Sequence, residues 1–387
     1  MNAGRAAFRI PWAVPNVGKE EASEVMDAME SGWLSMGTRV QEFEERMSEV
    51  AERPHAVAVS NGTVALDLAL KVLGIGPGDE VIVPALTYIA TANAVIYQGA
   101  TPVFADVQAP SCGADPEEVA QKINPRTKGV LVIDYGGFPC DYSLLEDVCE
   151  SRGIPLIVDG AQSLGSRFGG KSSLQFGSLS TISFHAAKTL TTIEGGMIFA
   201  DDVETREQLR MMRNQGEAPQ RKYHHAVLGY NARMSDLHAA VGLAQLRRLA
   251  DILSRRRQIA EYYLELLTSV PGVRLEAGCG KNGGQGNDGR GEDCENGWFL
   301  FPVFVNHRDE IAARLAAAGV DTRVCYPMPV YRQESIRNYL RSESVEPCPV
   351  AEEITSSVLN LPMYHDLETH DIEFVVEALA VAVRDVG

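Results

Sequence analysis

The chain has 387 residues, 45% hydrophobic and 22% charged, with a formal charge of −17. So acidic a surface excludes general binding to nucleic acid or to an anionic membrane, both of which need a basic stripe, but leaves room for a phosphate held in a local pocket. A chain this long buries a full core without staples, and its seven scattered cysteines, with no CxxC spacing, read as reduced thiols rather than a metal or redox site.

In chain order, "MNAGRAAFRIPWAVPNVG" lacks a continuous apolar segment and no run is long enough to span a bilayer, so a cytoplasmic protein is expected. Residues 1–17 read as an extended arm, because Pro11 and Pro15 oppose helix. From Lys19 to about Ala51 apolar residues fall at helical spacing, broken by "SGWLSMG", which predicts two helices and a loop carrying Trp33. A βα rhythm follows. "HAVAVS", "DEVIVPA", "TPVFADV", "GVLVIDY" and "IPLIVDGAQ" are strands, with helices such as "NGTVALDLALKVLG", "TYIATANAVIYQG" and "DYSLLEDVCESRG" among them. Strands that are apolar throughout and separated by helices form a parallel sheet covered on both faces. "STISF" and "GGMIFAD" have too little chain between them for a crossover, so one of this pair runs antiparallel to its neighbour. A long helical pattern from about Asp236 to Leu267 closes a large unit at 18–250. A smaller α/β unit at 251–387 contains "WFLFPVFV" as a strand, "RDEIAARLAAAG" as a helix and a terminal helix "THDIEFVVEALAVAVRDV". The Gly/Asn/Asp-rich stretch at 278–297 is expected to be a mobile surface loop.

Ligands of an open parallel sheet sit outside the carboxyl ends of its strands, so the residues there carry the functional reading. After "AVAVS", Asn61-Gly62-Thr63-Val64 opens a helix, a junction suited to an anion or simply a common turn. "GIGPGDE" has the wrong polarity for a nucleotide cradle and reads as a capping turn. Asp159 ends a buried strand, either capping the next turn or holding a proton on a heteroaromatic nitrogen. Lys188 follows "STISF" among small residues in a chain with 8 lysines and 27 arginines, and is a surface charge, a phosphate ligand or a covalent catalyst. Tyr88, just past another strand end, either packs in the core or covers a planar ring. Asn231 and Arg233 precede a helix that Ser235 can cap. Together these are the parts of a pyridoxal phosphate (PLP) site: a lysine to bind the aldehyde and move a proton, an acid for the ring nitrogen, an aromatic for the ring face, and a Gly-Thr helix start with a Ser for the phosphate.

The ordered motifs "SNGTVALDLAL", "GDEVIVPALTYIATANAVIYQGATPVFADV", "VDGAQSLGS", "SFHAAKTLTTIEGGMI" and "GYNARMSDLHAAVGLAQL" resemble the DegT/DnrJ-type sugar aminotransferases, PLP enzymes of fold type I, over nearly the whole chain. The resemblance implies an α/β fold with a large domain built on a mostly parallel seven-stranded sheet, a smaller C-terminal α/β domain, and a homodimer with active sites at the subunit interface. It implies that Lys188 binds the cofactor covalently, Asp159 pairs with the pyridine nitrogen, Gln162 contacts the 3-hydroxyl side and Tyr88 stacks on the ring. Gly62, Thr63, Val64 and Ser183 would hold the phosphate, with Asn231 reaching it from the other subunit. Trp33, His185, Glu194 and Tyr326 are candidates for the substrate side, and no metal is expected. Asp134 stands where many members carry a His, and "VDGAQ" lacks their acidic pair while keeping the Asp. The activity implied is transfer of an amino group from L-glutamate or L-glutamine to a keto-sugar, foremost a nucleotide-linked ketodeoxyhexose, in deoxysugar, antibiotic or surface-polysaccharide biosynthesis. The alternatives are a keto-cyclitol acceptor of the scyllo-inosose type, a dehydratase using the pyridoxamine form (PMP), and a non-catalytic regulatory protein. Lys188 argues against the dehydratase, whose members carry histidine there.

Overall fold

The computed structural model describes residues 8–109, 111–275, 294–341 and 345–386. Nine strands make up the first part: β1 His55–Val59, β2 Glu80–Pro84, β3 Thr101–Ala105, β4 Thr127–Ile133, β5 Leu156–Asp159, β6 Arg167–Phe168, β7 Lys171–Ser172, β8 Leu179–Ser183 and β9 Gly196–Ala200. β6 and β7 form a short separate pair. The other seven build one sheet in the order β1-β9-β8-β5-β4-β2-β3. β9 is antiparallel to both its neighbours, β1 and β8, and the remaining pairings are parallel. The short β8–β9 connection therefore produces the antiparallel strand expected from the sequence. All five residues of β2 and of β9 are buried, as strands covered on both faces must be.

A second sheet, in the order β10-β11-β12, joins Val273–Arg274, Phe301–Val305 and Val358–Leu361 and is antiparallel throughout. Its core includes Tyr263, Phe301, Leu315 and Leu379, drawn from the strands and the helices Leu249–Leu267, Arg308–Ala317 and Thr369–Val386. The amino-terminal arm is strapped onto this region: Ile10 pairs with Val320 and is itself 1% exposed.

The helical pattern read as continuous from Asp236 to Leu267 is two helices, Asp236–Arg247 and Leu249–Leu267, which meet at Arg248 with φ −107° and ψ 6°. Apolar periodicity runs through the break and cannot reveal it. The stretch read as a mobile loop at 278–297 lies outside the described residues up to 293. Its last four residues are not a loose loop: Glu295 pairs with Arg167 and Asn296 is buried. Cys149, Cys325 and Cys348 are unbridged, whereas Cys294 is disulfide-bonded, which corrects the reading of that position as a thiol.

One long-range contact fixes the entry of the chain. The helix Thr38–Ala51 starts at Gly37, which has no side chain to cap it. The buried carboxylate of Asp236 does so instead, accepting from the amides of Gly37 (2.7 Å), Val40 (3.1 Å) and Arg39 (3.4 Å).

Candidate active site

The carboxyl ends of β1, β2, β5 and β8 open onto a cavity of about 650 Å³. Three groups of residues from these strand ends line it.

The first is an anion cradle. Asn61 follows β1 and caps the helix Gly62–Val72, its side chain accepting from the amide of Val64 at 2.9 Å. The amides of Gly62 and Thr63 have no protein acceptor among the described residues and stand at the positive end of that helix. A Cβ on Gly62 would lie 2.8 Å from Cβ of Ser183, and one on Gly196 would lie 2.4 Å from the carbonyl oxygen of Asn61. Glycine is therefore needed where this helix start meets β8 and β9. Gly62, Thr63, Val64 and Ser183 all line the cavity here.

The second group is polar and buried. Asp159, the last residue of β5, is 3% exposed and lines the cavity. Its Oδ2 accepts from the Thr91 hydroxyl at 2.8 Å and its Oδ1 from the Ala161 amide at 3.1 Å. Burial pushes its pKa up, against the lowering pull of those two bonds and the Lys188 charge. Gln162 accepts from the Gly136 amide at 2.7 Å and donates to the Tyr326 hydroxyl at 3.3 Å, so its orientation is fixed. The half-exposed ring of Tyr88 stands 5.9 Å from that of Tyr326 at 37°, and both rings line the cavity.

The third is Lys188 itself. After β8 the backbone turns so that Lys188 N–H donates to His185 carbonyl at 2.8 Å. Phe184 then exchanges bonds with Gly195 (2.8 Å) and Thr192 (3.0 Å), which closes the turn. The lysine ammonium sits 4.4 Å from the centre of the Phe299 ring. Burial lowers its pKa from 10.5 to about 8, the charges of Asp159 and Cys325 only partly offsetting that loss.

At the mouth, His185 and Glu194 line the cavity with Nε2 of one 3.9 Å from Oε1 of the other. Glu194 is presented by Ile193, a β-branched residue held at φ 73°. Trp33 and Asn231 are exposed and do not line this chain's cavity. Nor do Arg233, Arg323 and Arg332: Arg233 donates to Asn214, Arg323 pairs with Asp321 and Arg332 with Glu352. Asp134 is fully buried against Tyr142 and the Cys140 amide, away from the cavity lining. Trp12, Phe299 and Cys325 complete the wall, though sequence reading placed them only in an arm, a strand and a scatter of thiols. A run of aromatics flanking a strand in "GWFLFPVF" was the available signal for Phe299.

A buried carboxylate, a glycine-backed helix start and a pKa-lowered lysine lining one cavity fit a phosphorylated pyridine aldehyde. Comparison with known proteins agrees. The model of the DegT/DnrJ/EryC1/StrS aminotransferase family matches residues 15–380. The chain is 35% identical over 378 residues to a GDP-perosamine synthase of Escherichia coli O157:H7, covering 96% of this chain and 97% of that one. It is 34% identical to the dTDP-3-amino-3,4,6-trideoxy-alpha-D-glucose transaminase of Streptomyces venezuelae, covering 98% and 97%. Among solved structures, the PLP form of Spr1654 from Streptococcus pneumoniae superposes with a TM-score of 0.90 at 28% identity, covering 98% of this chain and all 100% of that one.

Proposed function

The chain belongs to the DegT/DnrJ/EryC1/StrS aminotransferase family, and from that premise we propose that it aminates a nucleotide-linked ketodeoxyhexose, taking the amino group from L-glutamate or L-glutamine. It is a PLP-dependent sugar transaminase. The observation that carries the reading is the convergence of Lys188, Asp159 and the Gly62–Val72 helix start on one cavity, in a family whose similar members make GDP- and dTDP-linked amino sugars.

Bound PLP supplies an aldehyde for amine exchange and a pyridine ring that takes up electrons from the reacting carbon. The residues of this chain supply the rest. The amides of Gly62 and Thr63 and the Ser183 hydroxyl hold the phosphate at the helix start, where the dipole favours an anion. Asp159, whose ionised form Thr91 and the Ala161 amide favour against the opposing effect of burial, would hold a proton on the ring nitrogen. Gln162 would meet the ring's hydroxyl edge and Tyr88 would cover its face, both lining the cavity. Lys188, whose pKa burial lowers to about 8, would hold the cofactor's aldehyde through its free-base amine. Its Nζ, once free, would be the group that holds and moves the proton between the substrate carbon and the cofactor in both half-reactions. His185, Glu194 and Tyr326 line the substrate end of the cavity. Trp33 enters a site only across a subunit boundary.

The working unit in this reading is a cytoplasmic homodimer. Asn231 lies outside its own chain's cavity, on a segment whose Tyr223 and Leu228 are 78% and 85% exposed, surfaces suited to covering by a second copy. No helix among the described residues is long and apolar enough to cross a membrane. The chain is read as an arm, a large unit to about residue 250 and a smaller one after it. A panel of GDP- and dTDP-linked 4-keto and 3-keto hexoses against keto-inositols, with glutamate as donor, tests the acceptor. Turnover of a keto-inositol alone would replace the nucleotide-sugar reading by the cyclitol one.

A further inference from the structure

Thr91 is the third residue of the helix Ile89–Tyr97, wholly buried, and its hydroxyl is 2.8 Å from Oδ2 of Asp159. A second buried hydroxyl, Thr87, lies 2.7 Å from Thr91 Oγ1. Asp159 as an anion has no proton to give, so the single Thr91 proton goes to the carboxylate and Thr87 must donate to Thr91. The chain of donors therefore has one direction, Thr87 to Thr91 to Asp159, and it ends on the carboxylate oxygen. Oδ1 is held separately by the Ala161 amide at 3.1 Å. Both oxygens are thus fixed while the carboxylate still faces the cavity. Thr91 also sits in the first turn of its helix, whose positive pole favours the same anion. The other charged or titratable groups facing Asp159 are Lys188, which favours its ionisation, and Tyr326, a neutral phenol.

We propose that Thr91, backed by Thr87, is a positioning residue for the reaction: it keeps the buried Asp159 carboxylate ionised and aimed, so that Asp159 can hold the proton on the cofactor's ring nitrogen. The proposal rests on the assignment of Asp159 to that nitrogen. The same five-residue stretch, Thr87 to Thr91, also carries Tyr88, so the contacts with one edge and one face of the ring are built from a single turn.

The test compares Thr91→Val, which keeps the shape and loses the hydroxyl, with Thr91→Ser, which keeps the hydroxyl. Three quantities are read: the dissociation constant of PLP from the apoprotein by equilibrium dialysis, the rate of the L-glutamate half-reaction, and the acid limb of its pH profile. Loss of a hydrogen bond to a charged group corresponds to about a ten- to hundredfold effect. Thr91→Val should therefore weaken PLP binding and slow the half-reaction within that range, and move the acid limb to higher pH, because the unassisted carboxylate protonates sooner. Thr91→Ser should restore all three, and Thr91→Val should add nothing in an Asp159→Asn background. Equal impairment of the Val and Ser variants, or a Val variant like wild type, overturns the proposal. If Thr91→Val does not fold, Thr87→Val removes the donor one step back and should give a smaller shift in the same directions; no shift overturns it. If wild type itself reacts with neither L-glutamate nor L-glutamine, the transaminase reading fails, while the PLP-affinity comparison still decides the role of Thr91.

Discussion

The lowered pKa of Lys188 makes a quantitative claim about how the apoprotein captures its cofactor. Only the neutral amine attacks an aldehyde, so the capture rate follows the deprotonated fraction. With a pKa of about 8 in place of 10.5, the neutral fraction at pH 7 is about 9% instead of about 0.03%, roughly a 300-fold gain. Burial beside Phe299 causes that shift, and the charge of Asp159 is the first influence opposing it. Stopped-flow mixing of apoprotein with PLP, followed by the visible band of the lysine-bound cofactor between pH 6 and 10, reads the titration directly. The rate should rise with pH and level off through a midpoint near 8. Asp159→Asn removes the opposing charge and should move the midpoint lower still. A rate still climbing about tenfold per pH unit at pH 10 would mean a solvated lysine and would refute the burial argument; a midpoint unmoved or raised by Asp159→Asn would refute the role given to its charge.

Three further outcomes follow from the geometry. Gly62→Ala gains at most about 1 kcal/mol of helix propensity but sets a Cβ 2.8 Å from that of Ser183, an overpacking cost of about 1–3 kcal/mol, so PLP affinity measured by dialysis should fall and the apoprotein should lose up to about 2 kcal/mol in urea unfolding. Asp236→Ala leaves the amides of Gly37, Arg39 and Val40 without their acceptor, and urea unfolding of the apoprotein should lose about 3 kcal/mol. Glu194→Gln should raise KM for the keto-sugar and leave the glutamate half-reaction rate unchanged, since Glu194 lies at the cavity mouth beside His185 rather than at Lys188; a slowed glutamate step would contradict that placement.

The parts legible in the sequence are those whose cause is local. Continuous apolar strands such as β2 and β9 can only be covered on both faces, and the short link from "STISF" to "GGMIFAD" allows only an antiparallel return. That Lys188, Asp159 and the Gly62 turn would meet at one cavity was readable because each stands at or shortly past a strand's carboxyl end, where such a sheet places its ligands. What escaped depends on chain partners far apart. Asp236 caps a helix whose first residue is 198 positions earlier, and nothing in "MSDLHAAV" announces it. Trp12 reaches the cavity on an arm held by residues far along the chain: Ile10 pairs with Val320, and Trp12 itself bonds to Asp321 and Met363. Asp134 follows its strand like Asp159 but turns toward Tyr142, a choice of face that position at a strand end does not fix.

The central claim is that Lys188 carries PLP and passes an amino group through it. Purified protein should hold a visible absorbance band that collapses on addition of L-glutamate, returns on addition of a nucleotide-linked ketohexose, and is absent in Lys188→Ala. A protein that binds no PLP, or whose band persists in Lys188→Ala, would contradict the account.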